Sequence, residues 1–182
     1  GARRAEIVLL ELDDLDLGER PTITIRRPTL ASMNRRRDGA SLKTEQRTLP
    51  IREGLAGLLE TYVEDWRVHQ IRPRRPSPAL FLSAKDGRRL SCTTINQILK
   101  RAAMSAASVG LSQRVHPHCL RTTAMNTLSR KARDKAGRLD PSFRDSLTYF
   151  AGWSPGSEMP LTYTREALSE ALGMLLRAPG KF

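Results

Sequence analysis

The chain has 182 residues, of which 39% are hydrophobic and 27% charged, values typical of one globular domain with a sizeable core. Lysine and arginine total 31 against 19 acidic residues, and the resulting net charge of +12 favours a nucleic-acid partner, with ribosomal or membrane-surface binding left open. No apolar run is long enough for a membrane span, and acidic residues near the start argue against a signal peptide. Cys92 and Cys119 lack metal-site spacing and indicate a reducing compartment.

The first part of the chain predicts a helix followed by strands. Residues 2–10 are predicted to be helical, and the polar stretch "DDLDLGERP" ends that helix. The β-branched run "TITI" at 22–25 predicts a strand. A basic loop at 26–41 leads to the segment 42–51, which predicts a second hairpin or a strand pair. We therefore expect a small antiparallel sheet.

The remainder of the chain is predicted to be mainly helical. A helix is predicted over 53–69, because apolar side chains recur there at helical spacing, namely Leu55, Leu58, Leu59, Tyr62, Val63 and Trp66. After a proline-rich linker and a short strand with a turn, Ser91 is predicted to cap a helix with the apolar face Ile95, Ile98, Leu99 and Ala102. Asp140 and Pro141 predict the start of a helix that carries Phe143, Leu147 and Phe150. The segment 165–176 predicts an amphipathic tail helix that either joins the core or docks on a neighbouring subunit. The predicted fold class is α+β, mainly helical, with a small antiparallel β-sheet on one side.

The stretch "VHPHCLRTTAMNTL" at 115–128 predicts an anion site. His118 and Arg121 lie three residues apart at the start of a predicted helix, whose apolar stripe would be Leu120, Ala124 and Leu128. A helix N-terminus already offers unpaired N–H groups and a partial positive charge. Two further cationic donors are useful there only if an anion binds. His116 is predicted to cap the helix or to contact DNA.

Several separated residues together are suited to breaking a phosphodiester bond without a metal ion. A tyrosine oxygen can attack phosphorus, two arginines can hold the non-bridging oxygens, and a lysine or histidine can protonate the leaving oxygen. The candidates in this sequence are Arg3, Lys43, His118, Arg121, Trp153 and Tyr163.

The same residues resemble the motifs of the tyrosine recombinase (phage integrase) family. Gly1, Arg3 and Glu6 match the family's Gly-x-Arg-x-x-Glu, and Lys43 in "KTEQRTLPI" matches its β-hairpin lysine. The His-x-x-Arg motif is matched by His118 and Arg121, the Gly-Trp pair by Gly152 and Trp153, and the nucleophile by Tyr163. The resemblance runs from Gly1 to about Leu176. Thr122 stands where many members have a second histidine, and the spacings from Arg121 to Trp153 and on to Tyr163 are longer than usual.

The resemblance implies a role for each matched residue. Tyr163 would become linked to the 3′ end of the cleaved strand, and Lys43 would protonate the leaving 5′ hydroxyl. Arg3 and Arg121 would stabilise the phosphorane, and His118 would hydrogen-bond the phosphate and assist proton transfer. Trp153 would pack beneath the site. No metal ion and no cofactor is expected.

The resemblance also implies partners and surroundings. Duplex DNA would be the substrate, the chain would self-associate on DNA as a dimer or tetramer without a membrane partner, and it would act in the cytoplasm with the nucleoid. Residues 1–182 would form one catalytic domain, with the family's N-terminal DNA-clamping domain outside this chain. Phosphate-backbone contacts are predicted for Arg35, Arg36, Arg37 and Arg47.

Alternatives remain at this stage. Arg4 competes with Arg3, and Tyr149, in a second "LTY", competes with Tyr163. A non-catalytic basic DNA-binding module would account equally well for the charge, but it would have no need of Tyr163 and Lys43. A metal-dependent nuclease is a weaker alternative, since it would need clustered carboxylates.

Overall fold

A computed structural model of the chain describes residues 1–27, 45–71, 76–107, 115–131 and 141–163. The chain divides into two compact units. The N-terminal unit is Ala2–Pro117, and the C-terminal unit combines Gly1 with His118–Phe182. Both contain helices and the N-terminal unit also contains a sheet, so the prediction of a mainly helical α+β fold with a small antiparallel sheet is confirmed.

The sheet has three antiparallel strands in the order β1 (Leu15–Asp16), β2 (Thr22–Ile25) and β3 (Arg47–Pro50). The predicted strand at 22–25 is thus confirmed. Side chains alternate along β3, so that Arg47 and Leu49 are buried whereas the intervening Thr48 is exposed. On the exposed face, the hydroxyls of Thr24 and Thr48 lie 3.0 Å apart across the two strands.

The N-terminal unit also contains helical segments, besides a short 3-10 helix at Leu12–Asp14 that contacts β2. They are α1 (Arg4–Leu9), α2 (Glu53–Thr61), a π-helical stretch (Tyr62–Arg67), α3 (Val68–Gln70) and α4 (Cys92–Ala107). A core cluster of Val8, Cys92 and Ile95 joins α1 to α4. The Ser91 hydroxyl accepts the Thr94 N–H at 3.1 Å, which confirms the predicted N-cap of α4. Ile95 is buried, but Ile98 and Ala102 of the predicted apolar face are exposed.

The apolar face predicted for residues 53–69 is partly wrong. Leu59 is buried as expected, whereas Leu58 and Trp66 are 70% and 66% exposed. The π-helical stretch explains the difference at Trp66, because each residue of a π-helix turns the chain through a smaller angle than in an α-helix. The backbone therefore reaches Trp66 before it has turned far enough to face the interior. Arg67 faces the interior instead.

Arg67 holds the segment after the helix through its guanidinium group. The Nε atom donates to the carbonyl oxygens of Ala79 and Leu80 at 3.1 and 3.2 Å, and Nη2 donates to those of Ser77 and Ala79 at 2.6 and 2.9 Å. Burial lowers the pKa of Arg67, and the nearby Tyr62 partly opposes that shift. These bonds give hydrogen-bond donors to the carbonyl groups of Ala79 and Leu80, which are both buried residues.

In the C-terminal unit the described helices are α5 (Pro117–Lys131) and α6 (Pro141–Ala151). The core is formed by Met125, Leu147, Ala151, Trp153 and Tyr163, with Ala124, Leu128, Phe143 and Phe150 packed against it. The buried face of α5 is centred on Arg121, Met125 and Ser129, so the predicted stripe is displaced, and Leu120 is exposed. Among the described residues, none of the helices is both long and apolar enough to span a bilayer.

The end of α6 is a Schellman motif that directs Trp153 away from the helix axis. Gly152 has φ +63°, and its N–H donates to the Tyr149 carbonyl at 3.0 Å. The Trp153 N–H donates to the Thr148 carbonyl, also at 3.0 Å. Both bonds belong to this helix ending, which glycine favours because it has no Cβ.

Candidate active site

Arg121 is anchored within the C-terminal unit by two backbone carbonyl groups. Its Nη1 donates to the Gly1 oxygen at 2.6 Å and its Nη2 to the Ala151 oxygen at 2.7 Å. The second acceptor lies at the end of α6, where carbonyl groups lack helical partners. Arg121 is itself buried, so these bonds fix both the position and the orientation of the guanidinium plane.

Gly1 is confined by side chains of the same unit. A Cβ added there would lie 2.7 Å from Met125 Cε and 2.7 Å from Phe150 Cε1, closer than real Cβ contacts. The close approach therefore requires glycine at this position if the surrounding core keeps its packing. That approach also places the Gly1 carbonyl where Arg121 can reach it.

Trp153 lies in contact with both Arg121 and Tyr163. The Arg121 Cζ atom is 5.6 Å from the Trp153 ring centroid, within the range of a cation–π contact. The Tyr163 ring stacks on Trp153 with centroids 5.4 Å apart and an interplanar angle of 21°. The C-terminal unit thus brings together three of the predicted site residues, from α5, the turn after α6 and the helical turn at 159–163.

The two histidines lie at the start of α5. His118 is in the first helical turn and is exposed, and it precedes Arg121 by three residues, a spacing that places side chains on adjacent parts of a helix surface. His116 is also exposed and lies just before the helix begins at Pro117. Their positions leave both roles predicted for His116 open.

Arg3 lies in the N-terminal unit at the N-cap of α1, and Glu6 holds it there. The Glu6 Oε2 atom accepts the Arg3 backbone N–H at 2.7 Å, and Oε1 accepts Arg3 Nη1 at 3.1 Å. The Arg3 side chain is 30% exposed, whereas that of Glu6 is fully buried. Arg4, the alternative to Arg3, points to α4, where its Nη1 donates to Asn96 Oδ1 at 3.1 Å.

Arg47 is buried, whereas a residue predicted to contact phosphate should lie at the surface. Its side chain is 1% exposed, and its Nη2 donates to Glu6 Oε2 at 3.0 Å in a buried ion pair. Nη1 donates to Glu6 Oε1 at 3.3 Å. A side chain so placed has almost no surface to offer to a duplex. The structure therefore corrects the prediction that Arg47 contacts a phosphate.

The charge of Glu6 is governed by its two arginines. Burial alone would raise the pKa of Glu6, but the hydrogen bonds and positive charges of Arg47 and Arg3 together hold that pKa below its ordinary value of 4.5. Glu6 is therefore ionised at neutral pH although it is buried.

Other predicted site residues lie outside the described part of the chain, namely Lys43, Arg35, Arg36 and Arg37, as does the predicted tail helix at 165–176. Tyr149, the alternative nucleophile, lies on α6 and is 52% exposed. In the described ranges, no three residues among His, Cys, Asp and Glu are grouped so as to hold a metal ion.

The sequence analysis does not predict two supporting contacts. Arg47 binds Glu6, which also holds Arg3, and the Gly1 carbonyl binds Arg121. The alternation of side chains along "RTLP" is a signal for Arg47, since it places Arg47 on the same face as Leu49. No local signal shows that the Gly1 carbonyl binds Arg121, because the two residues are 120 positions apart.

Comparison with known proteins identifies the family. The model of the phage integrase family matches residues 1–136, about three quarters of the chain. The chain belongs to the phage integrase family. It is similar to the tyrosine recombinase XerC of Alcanivorax borkumensis, with 37% identity over 125 residues. This integrase-family chain spans a third of that relative's length, since the match covers 66% of the chain and 33% of the relative.

Solved structures show the same fold. The Tn1549 transposon integrase in complex with circular intermediate DNA is similar with a TM-score of 0.65 and 20% identity, over 96% of this chain and 56% of that one. Its complex with transposon right-end DNA gives a TM-score of 0.66 and 20% identity, over 94% and 55% of the two chains. The integrase-family chain therefore has the fold of a tyrosine recombinase catalytic domain.

Proposed function

We propose that this chain is the strand-cleaving part of a site-specific DNA recombinase. The observation that carries the proposal is the grouping of Arg121, Trp153 and Tyr163 within the C-terminal unit. A core of aliphatic residues would pack as well without a charged group. The buried guanidinium beside a tyrosine and a tryptophan, in a chain of net charge +12, fits a phosphate substrate better than a purely structural role.

In the proposed reaction, the Tyr163 oxygen attacks the scissile phosphorus and transfers its proton to His118. A bond from Tyr163 to phosphorus forms, the bond from phosphorus to the 5′ oxygen breaks, and Lys43 protonates that oxygen. The 3′ end is left as a phosphotyrosine, and the reverse sequence rejoins a strand. No step uses a metal ion or a cofactor.

Two arginines stabilise charge in this proposal. The pentacoordinate phosphorus carries additional negative charge on its non-bridging oxygens, and Arg3 and Arg121 neutralise it. Fixed donors are effective because they need no reorganisation during the reaction, and removing one such donor typically costs about 10²–10³ in rate. The carbonyl bonds of Arg121 and the Glu6 contacts of Arg3 support fixed orientations for both.

Membership of the phage integrase family supports a proposal about the partners of this chain. Duplex DNA is the proposed substrate, and the chain is proposed to self-associate on it as a dimer or tetramer. The basic segment with Arg35, Arg36 and Arg37 is proposed to contact the phosphate backbone.

A covalent-adduct assay tests the proposal. The full-length protein is incubated, with and without EDTA, with a pool of nicked duplexes whose arms are randomised, and adducts that survive denaturant are recovered and sequenced. We expect an adduct with the wild-type protein and none with Tyr163→Phe, which should still bind DNA. Tyr149→Phe is the matched control, because it removes the hydroxyl of another tyrosine, which lies on α6 and is 52% exposed, and it should leave the adduct unchanged.

The possible outcomes separate the alternatives. An adduct that persists in Tyr163→Phe, or that disappears in Tyr149→Phe, would refute the assignment of the nucleophile. DNA binding without any wild-type adduct would favour the non-catalytic DNA-binding module. An adduct that is lost only in EDTA would show that the reaction depends on a metal ion.

A further inference from the structure

We propose that Arg47 is a positioning residue for Arg3, and that it acts by fixing and neutralising the Glu6 carboxylate. This inference rests on the proposed function, in which Arg3 binds the scissile phosphate. It removes Arg47 from the set of DNA-contacting residues and gives it a role inside the protein.

The hydrogen bonds around Glu6 give the first reason to assign this role to Arg47. Each carboxylate oxygen accepts one donor from Arg3 and one from Arg47. An ionised carboxylate offers about four acceptor positions, so these four bonds fill it. Glu6 is therefore a junction that joins the segment of Arg3 to β3, which carries Arg47. The Nη1 atom of Arg47 also donates to the Glu45 carbonyl at 3.3 Å, which adds a further anchor next to β3.

The charges of Arg3, Glu6 and Arg47 give a second reason for this role. Arg3 and Glu6 alone would form a neutral pair, and the field of Arg3 at a phosphate would be largely cancelled. With Arg47 included, the three groups carry a net charge of +1. Arg47 and Glu6 are 1% and 0% exposed and Arg3 is 30% exposed, so the positive charge is presented to solvent by Arg3. Arg47 thus compensates Glu6, and Arg3 keeps its charge available for a phosphate.

The geometry of the hydrogen bonds to Glu6 gives a third reason for this role. The Arg3 backbone N–H and its guanidinium group bind opposite oxygens of the same carboxylate, so any rotation of Glu6 moves both. The two parallel bonds from Arg47 prevent that rotation, as a bidentate arginine–carboxylate pair does. A displacement of about 1 Å in a group that binds the transition state can cost about 10²-fold in rate.

The test compares two buried arginines in the same unit. Arg47→Met removes the partner of Glu6, and Arg67→Met is the matched control, because Arg67 is equally buried but binds carbonyl groups of residues 77–80. Single-turnover adduct formation and DNA affinity are measured on the full-length protein, well below the unfolding midpoint of each variant. We expect Arg47→Met to lower the adduct rate about 100-fold, and Arg67→Met to lower only the unfolding midpoint.

A second variant and a second measurement complete the test. Arg47→Lys keeps the charge but offers a single ammonium group, so we expect it to restore part of the rate, and it serves in place of Arg47→Met if that variant does not fold. Arg47→Met should add little to the rate loss of an Arg3→Ala variant, because Arg47 acts through Arg3, whereas a residue that contacts phosphate directly would add a loss of its own.

Three results would overturn the inference. They are a rate loss from Arg47→Met that is as large in the Arg3→Ala background as in wild type, an Arg47→Met adduct rate within twofold of wild type, and a rate loss matched by Arg67→Met. If the wild-type protein forms no adduct, the proposed function fails and this role of Arg47 fails with it. A wild-type adduct that Arg47→Met retains leaves the proposed function intact and refutes the positioning role alone.

Discussion

At the scale of single residues, the positions of the two proposed phosphate-binding arginines depend on different kinds of acceptor. Arg121 is held by two neutral carbonyl oxygens, which orient the guanidinium group without cancelling its charge. Arg3 is held by a carboxylate, and a carboxylate does cancel charge unless another cation compensates it. The difference explains why a buried second arginine accompanies Glu6, whereas none is needed beside the Gly1 carbonyl.

Replacing Glu6 by glutamine should reveal the strength of the buried pair. Glu6→Gln leaves Arg47 buried without its counter-charge, and breaking such a pair typically costs about 3–5 kcal/mol in the free energy of unfolding. Because the folded-state pKa of Glu6 is lowered from 4.5, its stabilising contribution is fully present above pH 4.5 and is lost as pH falls through the folded-state pKa. The difference in the free energy of unfolding between wild type and Glu6→Gln should therefore become smaller as the pH falls.

Urea unfolding between neutral pH and about pH 3 measures this difference. Glu64→Gln serves as the control, because Glu64 is exposed and such surface changes are usually within about 0.5 kcal/mol. A wild-type advantage that grows as the pH falls would contradict the direction assigned to the pKa of Glu6.

At the scale of elements, the sequence predicts which segments fold into which elements better than it predicts their faces. The strand at 22–25, the sheet and the Ser91 cap follow from local chemistry, namely β-branching and a hydroxyl that accepts an N–H. The buried faces do not, because a buried arginine with good acceptors competes with apolar residues for interior positions. Arg67 and Arg121 both occupy such positions, and the apolar stripes predicted on their helices are displaced accordingly.

The proposed site shows the same division. Motif order was enough to select Arg121, Trp153 and Tyr163, which the structure brings together. The supporting contacts of Arg121 with Gly1 and of Arg47 with Glu6 join residues far apart in the chain, and no local pattern encodes them. Their prediction needs the tertiary structure.

A pair of glycine substitutions tests the helix ending that directs Trp153. Gly152→Ala places a Cβ on a residue with φ +63°, which should cost about 1–2 kcal/mol in the free energy of unfolding. Gly57→Ala is the matched control, because a Cβ there would meet nothing within 4 Å, in the interior of α2. It should stabilise the protein by about 0.5–1 kcal/mol.

Denaturant unfolding of both variants measures the two changes. Opposite signs are expected from the same chemical change, because only the backbone conformation differs. Equal effects at both positions would show that the left-handed conformation of Gly152 does not matter to stability.

At the scale of the whole molecule, the total of 31 lysine and arginine residues overstates how many of them can contact DNA. Arg47 is compensated by Glu6, Arg67 is buried against carbonyl groups, and Arg89 binds Glu11 at 2.7 Å as well as the carbonyl oxygens at the end of α1. These arginines serve the fold of the N-terminal unit. The proposed DNA binding therefore depends on the remaining basic residues, which are fewer than the composition implies.

Salt titration of DNA affinity tests the proposed electrostatic interface. Each phosphate contact contributes roughly −0.9 to the slope of log K against log salt, so about four contacts would weaken binding about 100-fold between 50 and 200 mM salt. We expect at least that loss, and similar affinities for unrelated duplexes when the 182-residue chain is tested by itself. A nearly flat dependence would mean that the basic residues do not form a DNA-binding surface, and would remove the simplest support for the proposed function.

The π-helical stretch at Tyr62–Arg67 also affects how this chain should be aligned with its relatives. A π-helix closes its hydrogen bonds from i to i+5, so a stretch of this kind holds one residue more than an α-helix that turns through the same angle. A relative that lacks one residue here could run as a continuous α-helix and still present a tryptophan outward and an arginine inward. A one-residue gap in this segment is therefore compatible with an unchanged interior, whereas an alignment without that gap would pair Arg67 with the wrong position.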